Sequence, residues 1–186
     1  MEQKRIVITG GPGTGKTVII NALESSGHYC FHEIIRSMTL EAKKDFNLDT
    51  PGTNPIAFVD DSKSFNFNLL HGRLNQYNKA KELDRELVFY DRGMPDVLAY
   101  MDYFDQSYEQ DFTQICQQNR YDQIFILPPW REIYIQDNER LENYAQATEI
   151  HHHLEKTYTA LGYDIIEVPF ASIAERMNFI LHNIQK

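Results

Sequence analysis

The sequence predicts an α/β fold: a three-layer α/β/α domain around a parallel five-stranded sheet. Three observations carry this. Short apolar runs alternate with helix-patterned segments along the whole chain. The runs are apolar on both alternating faces, as strands covered on two sides must be. A glycine-rich turn joins the first run to the first helix.

The elements follow in order. "RIVIT" (Arg5 to Thr9) is β-branched and reads as the first strand, and "KTVIINALESSG" reads as a helix stopped by Gly27. "HYCFHE" is the second strand candidate and "IIRSMTLEAKKDF" a helix. "NLDTPGTNP" is a loop by its Pro, Gly and Asn content. From Pro55 to about Leu83 the pattern is helical, as one helix or two, with Ile56, Val59, Phe67, Leu70, Leu74 and Tyr77 as core candidates. "ELVFYD" is the third strand. "MPDVLAYMDYF" opens a helix with Pro95 early, where the missing N–H is tolerated. "SYEQDFTQICQQN" is a further helix, and "YDQIFILPP" the fourth strand. "WREIYIQDNERLENY" starts polar and loop-like, then turns helical through Leu154, Tyr158 and Leu161 to Gly162. "YDIIEVP" is the fifth strand and "ASIAERMNFILHNIQ" an amphipathic helix.

The 186 residues suit one domain, 1–186, able to bury roughly 70% of its unfolded surface. Lys+Arg is 18 and Asp+Glu is 27, a net charge of −9, which opposes general DNA or RNA binding. Cys30 and Cys116 read as two reduced core thiols. "MEQKRIVITGG" has no signal-peptide pattern, and no apolar run approaches the ~20 residues that span a bilayer, so the expectation is a cytoplasmic protein without a membrane partner.

"GGPGTGKT" fits G-x-x-x-x-G-K-[ST], with Gly10, Gly15, Lys16 and Thr17 at the fixed positions and Gly11, Pro12, Gly13 and Thr14 between them. Glycines let successive amides wrap phosphate oxygens, and the following helix turns its positive end to the same anion. In such a P-loop, Lys16 reaches the β- and γ-phosphates of ATP and the Thr17 hydroxyl ligates Mg²⁺. The motif follows a strand and opens a helix, the context that separates it from an accidental turn.

The run Leu87 to Tyr90 delivers Asp91, the position of a second metal-site carboxylate in P-loop proteins. Motor ATPases commonly follow that aspartate with a water-activating glutamate; here the next residue is Arg92, which holds phosphoryl oxygens but cannot act as a base. That favours phosphoryl transfer to a bound acceptor over hydrolysis. The bland alternative is a helix cap or a surface ion pair.

Gly10 to Thr17, Asp91-Arg92-Gly93 and the polar segment around Arg140 together resemble small-molecule P-loop kinases such as nucleoside and thymidylate kinases. The chain is more similar to the compact AAA-like "predicted ATPase" family, which includes the NadR kinase domain. The segment "LEKTYTALGYDIIEVPFASIAERMNFIL" carries much of that likeness, which covers nearly the whole chain.

The resemblance implies a small hydroxylated, nucleoside-like acceptor. It makes Glu33 a candidate general base and Arg36 a substrate contact; Glu33 equally suits a helix N-terminus. It implies a lid at about residues 129–143 whose Arg140, or Arg131, neutralises transferring charge. It places base contacts at Pro169, Phe170 and Ala171. The alternative function is an AAA-like ATPase or nucleotide-dependent switch acting on a protein partner.

His151-His152-His153 does not form a metal site by itself, because consecutive helical side chains diverge by about 100°. A solvated stretch with His151 partly buried is the expectation. "NKAK" (Asn78 to Lys81) is not the guanine-reading N-K-x-D, which disfavours a GTP switch. "YMDYFDQSYEQDF" reads as core packing with an acidic outer face.

Overall fold

A computed structural model describes residues 3–35, 62–134 and 142–184. Five strands run parallel: β1 (Lys4–Gly10), β2 (Tyr29–Phe31), β3 (Leu87–Asp91), β4 (Gln123–Leu127) and β5 (Ile165–Glu167). Their order across the sheet is β2-β3-β1-β4-β5. The described helices are α1 (Lys16–Ser25), α2 (Ser62–Ala80), α3 (Pro95–Tyr103), α4 (Gln110–Gln118), α5 (Tyr144–Ala160) and α6 (Ile173–His182). Strand–helix alternation forces parallel pairing, because each crossover helix returns the chain to the same edge of the sheet.

Side-chain alternation along the strands feeds two cores. Val7, Val88, Tyr90, Ile124 and Ile126 face one side, where residues of α2, α3, α4 and α5 cover them. Ile6, Ile8, Phe89, Phe125 and Leu127 face the other, under α1 and α6. Each such fully buried side chain contributes about 1.5–3 kcal/mol over an exposed one. This is the expected three-layer fold, with all five predicted strands present.

The region read as helical from Pro55 to Leu83 is, where described, the single helix α2, and Ile56 and Val59 lie outside the described residues. Leu70 and Tyr77 are buried as expected, but Phe67 is not: it is 45% exposed. The buried stripe runs through Phe65, Asn66, Leu69, Leu70, Arg73, Tyr77 and Ala80. Phe67 falls about 100° off Asn66 on that stripe, and its ring rests against His71, 4.1 Å between centroids. The helix expected over "IIRSMTLEAKKDF" lies almost wholly outside the described residues. Cys30 and Cys116 are free and buried.

The register sets the site. Ile8 pairs with Asp91 and Gly10 with Leu127, so the ends of β1, β3 and β4 open on one edge of the sheet. Phe31 pairs with Tyr90, which brings the segment after β2, including Glu33, to the same edge.

Candidate active site

The loop from Gly10 to Gly15 turns β1 into α1. Gly13 (φ 74°) and Gly15 (φ 88°) adopt the left-handed conformation that glycine takes without steric penalty. Their missing side chains are also needed for space. A Cβ on Gly15 would lie 2.6 Å from Arg176 Nη2, and one on Gly13 2.6 Å from the Tyr134 ring. Arg176, buried on α6, donates from Nη1 to the Thr14 carbonyl at 3.1 Å. The loop is therefore braced from outside by neighbouring elements.

Lys16 is buried and donates from Nζ to the Gly11 carbonyl at 2.7 Å. Burial first, and then the Arg92 charge, lower its pKa to about 7 against the pull of Asp91, Asp96 and Glu33. An ammonium held in a buried site beside a second cation is suited to a polyanion, which favours its charged form. Thr17 is exposed in the first turn of α1.

Asp91 is 5% exposed at the end of β3. Burial and the Glu33 carboxylate hold its pKa above the usual range, against Lys16, Arg92 and Arg73. A divalent cation would reverse that balance, so Asp91 and Thr17 fit Mg²⁺ in chemical kind.

Arg92 is neither a surface ion pair nor a plain cap. Its φ is 74°, uncommon for a non-glycine residue. Nε is 2.8 Å from Glu33 Oε2, Nη1 donates to Asp96 Oδ1 at 3.0 Å, and Nη2 donates to the Tyr100 hydroxyl at 3.1 Å. Arg73, 2% exposed on α2, joins from the other side. Its Nη2 donates to Glu33 Oε1 at 3.1 Å and its Nη1 to the Gly93 carbonyl at 2.8 Å. Glu33 is thus gripped by two guanidinium groups with its side chain 19% exposed. It also accepts from its neighbours' amides, Ile34 N at 3.0 Å and Ile35 N at 3.4 Å, as a carboxylate at a helix N-terminus does.

Asp96 anchors the turn. Oδ1 accepts from the Thr9 hydroxyl (2.6 Å) and Arg92; Oδ2 accepts from the Gly93 amide (2.9 Å) and the Tyr158 hydroxyl (2.6 Å). Burial pushes its pKa up, but Arg92, Arg73 and the Thr9 and Tyr158 hydrogen bonds outweigh this and hold it below the usual carboxylate range. Three cations, Lys16, Arg73 and Arg92, thus meet three carboxylates, Glu33, Asp91 and Asp96, at one edge of the sheet.

The structure brings Lys16, Glu33, Asp91 and Arg92 together from three separate stretches of sequence. Arg36 and Arg140 lie outside the described residues, as do residues 135–141 of the segment read as a lid. Arg131 is exposed, with its guanidinium 5.1 Å from the Tyr144 ring centroid. Pro169, Phe170 and Ala171 follow β5; Phe170 is 57% exposed and tilts against Trp130, 5.2 Å between centroids. The Arg176 guanidinium stands 5.8 Å from the Trp130 ring. Sequence reading missed Arg73, Asp96, Tyr158 and Arg176.

This edge belongs to a P-loop α/β protein in which three carboxylates and three cations meet at the phosphate loop. Residues 5–176 match the family described as AAA domain, and the chain belongs to that family. No curated protein matches the chain by sequence. Solved structures match its fold. Deoxyadenosine kinase from M. mycoides with bound dATP superposes with a TM-score of 0.66 at 16% identity, over 98% of this chain and 100% of that one. Thymidylate kinase from Candida albicans gives 0.68 at 15% identity, over 98% and 91%. NadR in complex with NR gives 0.68 at 18% identity, over 97% of this chain and 51% of that one.

Proposed function

We propose that the chain transfers the γ-phosphoryl group of Mg·ATP to a hydroxyl of a small, nucleoside-like acceptor. The observation that carries this is Glu33: a partly open carboxylate fixed by Arg73 and Arg92 beside Asp91 and the P-loop lysine. The Asp91-Arg92 pair lacks the neighbouring carboxylate of a hydrolytic site. The fold neighbours named above include kinases of nucleosides and nucleotides.

The residues divide the work. The loop Gly10–Thr17 and Lys16 hold the phosphates. Thr17 and Asp91 would hold Mg²⁺, which would supply neutralisation of the charge on the transferring phosphoryl group. Arg92, tied to Glu33 and Asp96, presents a fixed cation; the kinase resemblance assigns the same charge-neutralising role to Arg140, in the lid-like segment at 129–143. Glu33 takes the acceptor's hydroxyl proton, with Asp91 as the alternative base. Phe170, between Pro169 and Ala171, offers an exposed ring to the nucleotide base. The protein is cytoplasmic and the whole of 1–186 acts as one domain.

A second reading, an AAA-like ATPase or nucleotide switch acting on a protein partner, rests on the family match. An acceptor panel of nucleosides and sugars separates the two. The kinase reading expects ATP consumption to rise sharply with one acceptor, with a phosphorylated product, and Glu33→Gln to lose at least about 100-fold in kcat, the scale of general-base catalysis. Turnover raised only by a protein partner, without acceptor phosphorylation, would establish the switch instead.

A further inference from the structure

We propose that His151, Glu155 and Glu167 form a binding site for a divalent transition-metal ion of the Zn²⁺ class, separate from the ion that accompanies nucleotide. His151 and Glu155 stand one turn apart on α5 and share a face. Glu167, the last residue of β5, brings a second carboxylate from the neighbouring strand. One ligand atom from each lies within 4.8 Å of the other two.

The histidine is the independent indication. His151 is 5% exposed, and its Nδ1 has no hydrogen-bond partner. Its Nε2 faces Glu155 Oε1 at 3.5 Å, longer than a good hydrogen bond. A buried imidazole with one nitrogen unpaired and the other held only at 3.5 Å from a carboxylate has a lone pair available to a Lewis acid. The histidine triplet does not act as a unit. His152, 69% exposed, only touches Glu155 Oε2 from the solvent side, at 3.2 Å.

The donor set selects the metal. One imidazole with two carboxylates suits Zn²⁺ and its first-row neighbours, whereas Mg²⁺ prefers oxygen alone. Around a tetrahedral zinc with bonds of about 2.1 Å, ligand atoms stand ~3.4 Å apart. His151 Nε2 and Glu155 Oε1, 3.5 Å apart, already stand at that spacing, and the exposed Glu167 has the freedom to draw in from within 4.8 Å. Three protein ligands leave a fourth position for water. The ion would pin α5 to the end of β5. Ala147, one turn before His151, packs its carbonyl against Gly11, and Val168 and Pro169 follow Glu167 directly.

The test is calorimetric titration of the metal-free full chain with Zn²⁺ in the absence of nucleotide. One saturable ion per chain is expected, weakened at least tenfold in Glu167→Gln, because even residues that merely support metal ligands contribute 10–100-fold to affinity. His151→Ala should behave alike. Glu167 is exposed, so its variant keeps the near-ultraviolet circular dichroism of the parent and separates lost binding from lost folding. The double variant His152→Ala/His153→Ala should bind within about twofold of the parent. Absence of saturable binding, undiminished binding in Glu167→Gln, or loss of binding in the His152/His153 variant would each overturn the site.

Discussion

Arg92 holds a left-handed backbone that normally costs an arginine about 1–2 kcal/mol. What compensates is the set of bonds to Glu33, Asp96 and Tyr100, so the strain is held in place by charge. Asp96 is the keystone, and Tyr158 supplies one of the two donors to its Oδ2. Tyr158→Phe should therefore lower unfolding free energy by about 1.5–3 kcal/mol, the worth of a hydrogen bond to a charged group. Urea denaturation measures this; a change under 0.5 kcal/mol would deny Asp96 that role.

Lys16 carries the pH prediction. Its pKa near 7 in the empty loop rises when phosphate oxygens surround it. Binding then takes up a proton above pH 7, so ATP affinity falls as pH rises through and above 7, by up to about tenfold per unit. Titration calorimetry in two buffers of different ionisation enthalpy should show that uptake at pH 8 and less of it at pH 6. Proton release at pH 8 would contradict the assignment.

Sequence reading found Lys16, Asp91 and Arg92 because a local motif and a strand end announce them. Arg73 was hidden: it lies three residues beyond Leu70 on an amphipathic stripe, and only its partner Glu33, 40 residues away, explains a buried cation there. A charged residue on a buried stripe was the available signal. Asp96 was masked similarly, as an ordinary acidic residue in a helix's first turn.

At the level of elements, the β1–loop–α1 unit depends on what surrounds it. Gly15 combines φ 88° with an Arg176 nitrogen where a Cβ would stand. Gly15→Ala must strain the backbone and displace Arg176 from the Thr14 carbonyl. The expected result is a stability loss of about 1–3 kcal/mol with loss of measurable ATP binding. A variant that keeps both would show that the loop does not need this shape. The strands were legible because a parallel sheet buried on both faces demands continuous apolar runs. The ends of α5 and α6 were less so. Asn143 with Gln146 and Ser172 with Glu175 form reciprocal capping boxes, and the first of them fixes where the loop-like start of "WREIYIQDNERLENY" turns into helix. Polar residues before such a cap are helix-compatible in propensity, and only the cap geometry marks the boundary.

For the whole molecule, the two cores fix the sheet, and the sheet fixes which strand ends meet. The phosphate loop, Asp91 and the segment after β2 converge because β1 lies between β3 and β4, with β2 beyond β3. A ligand held across that edge joins elements from both halves of the chain and should stabilise the fold globally. At ATP concentrations 100 times Kd, linkage gives about 2.7 kcal/mol. For a chain of 186 residues that corresponds to a rise in Tm of roughly 5–10 °C. Lys16→Ala should abolish the rise. Asp91→Asn should keep much of the nucleotide affinity while suppressing turnover, because the loop still holds the phosphates but one metal-site charge is gone. The comparison uses scanning calorimetry with and without Mg·ATP, beside a steady-state assay with the acceptor found by the panel. Full turnover in Asp91→Asn would remove Asp91 from the metal site. No rise in Tm for the parent protein would mean that the loop, however well braced by Arg176 and Tyr134, does not hold a triphosphate.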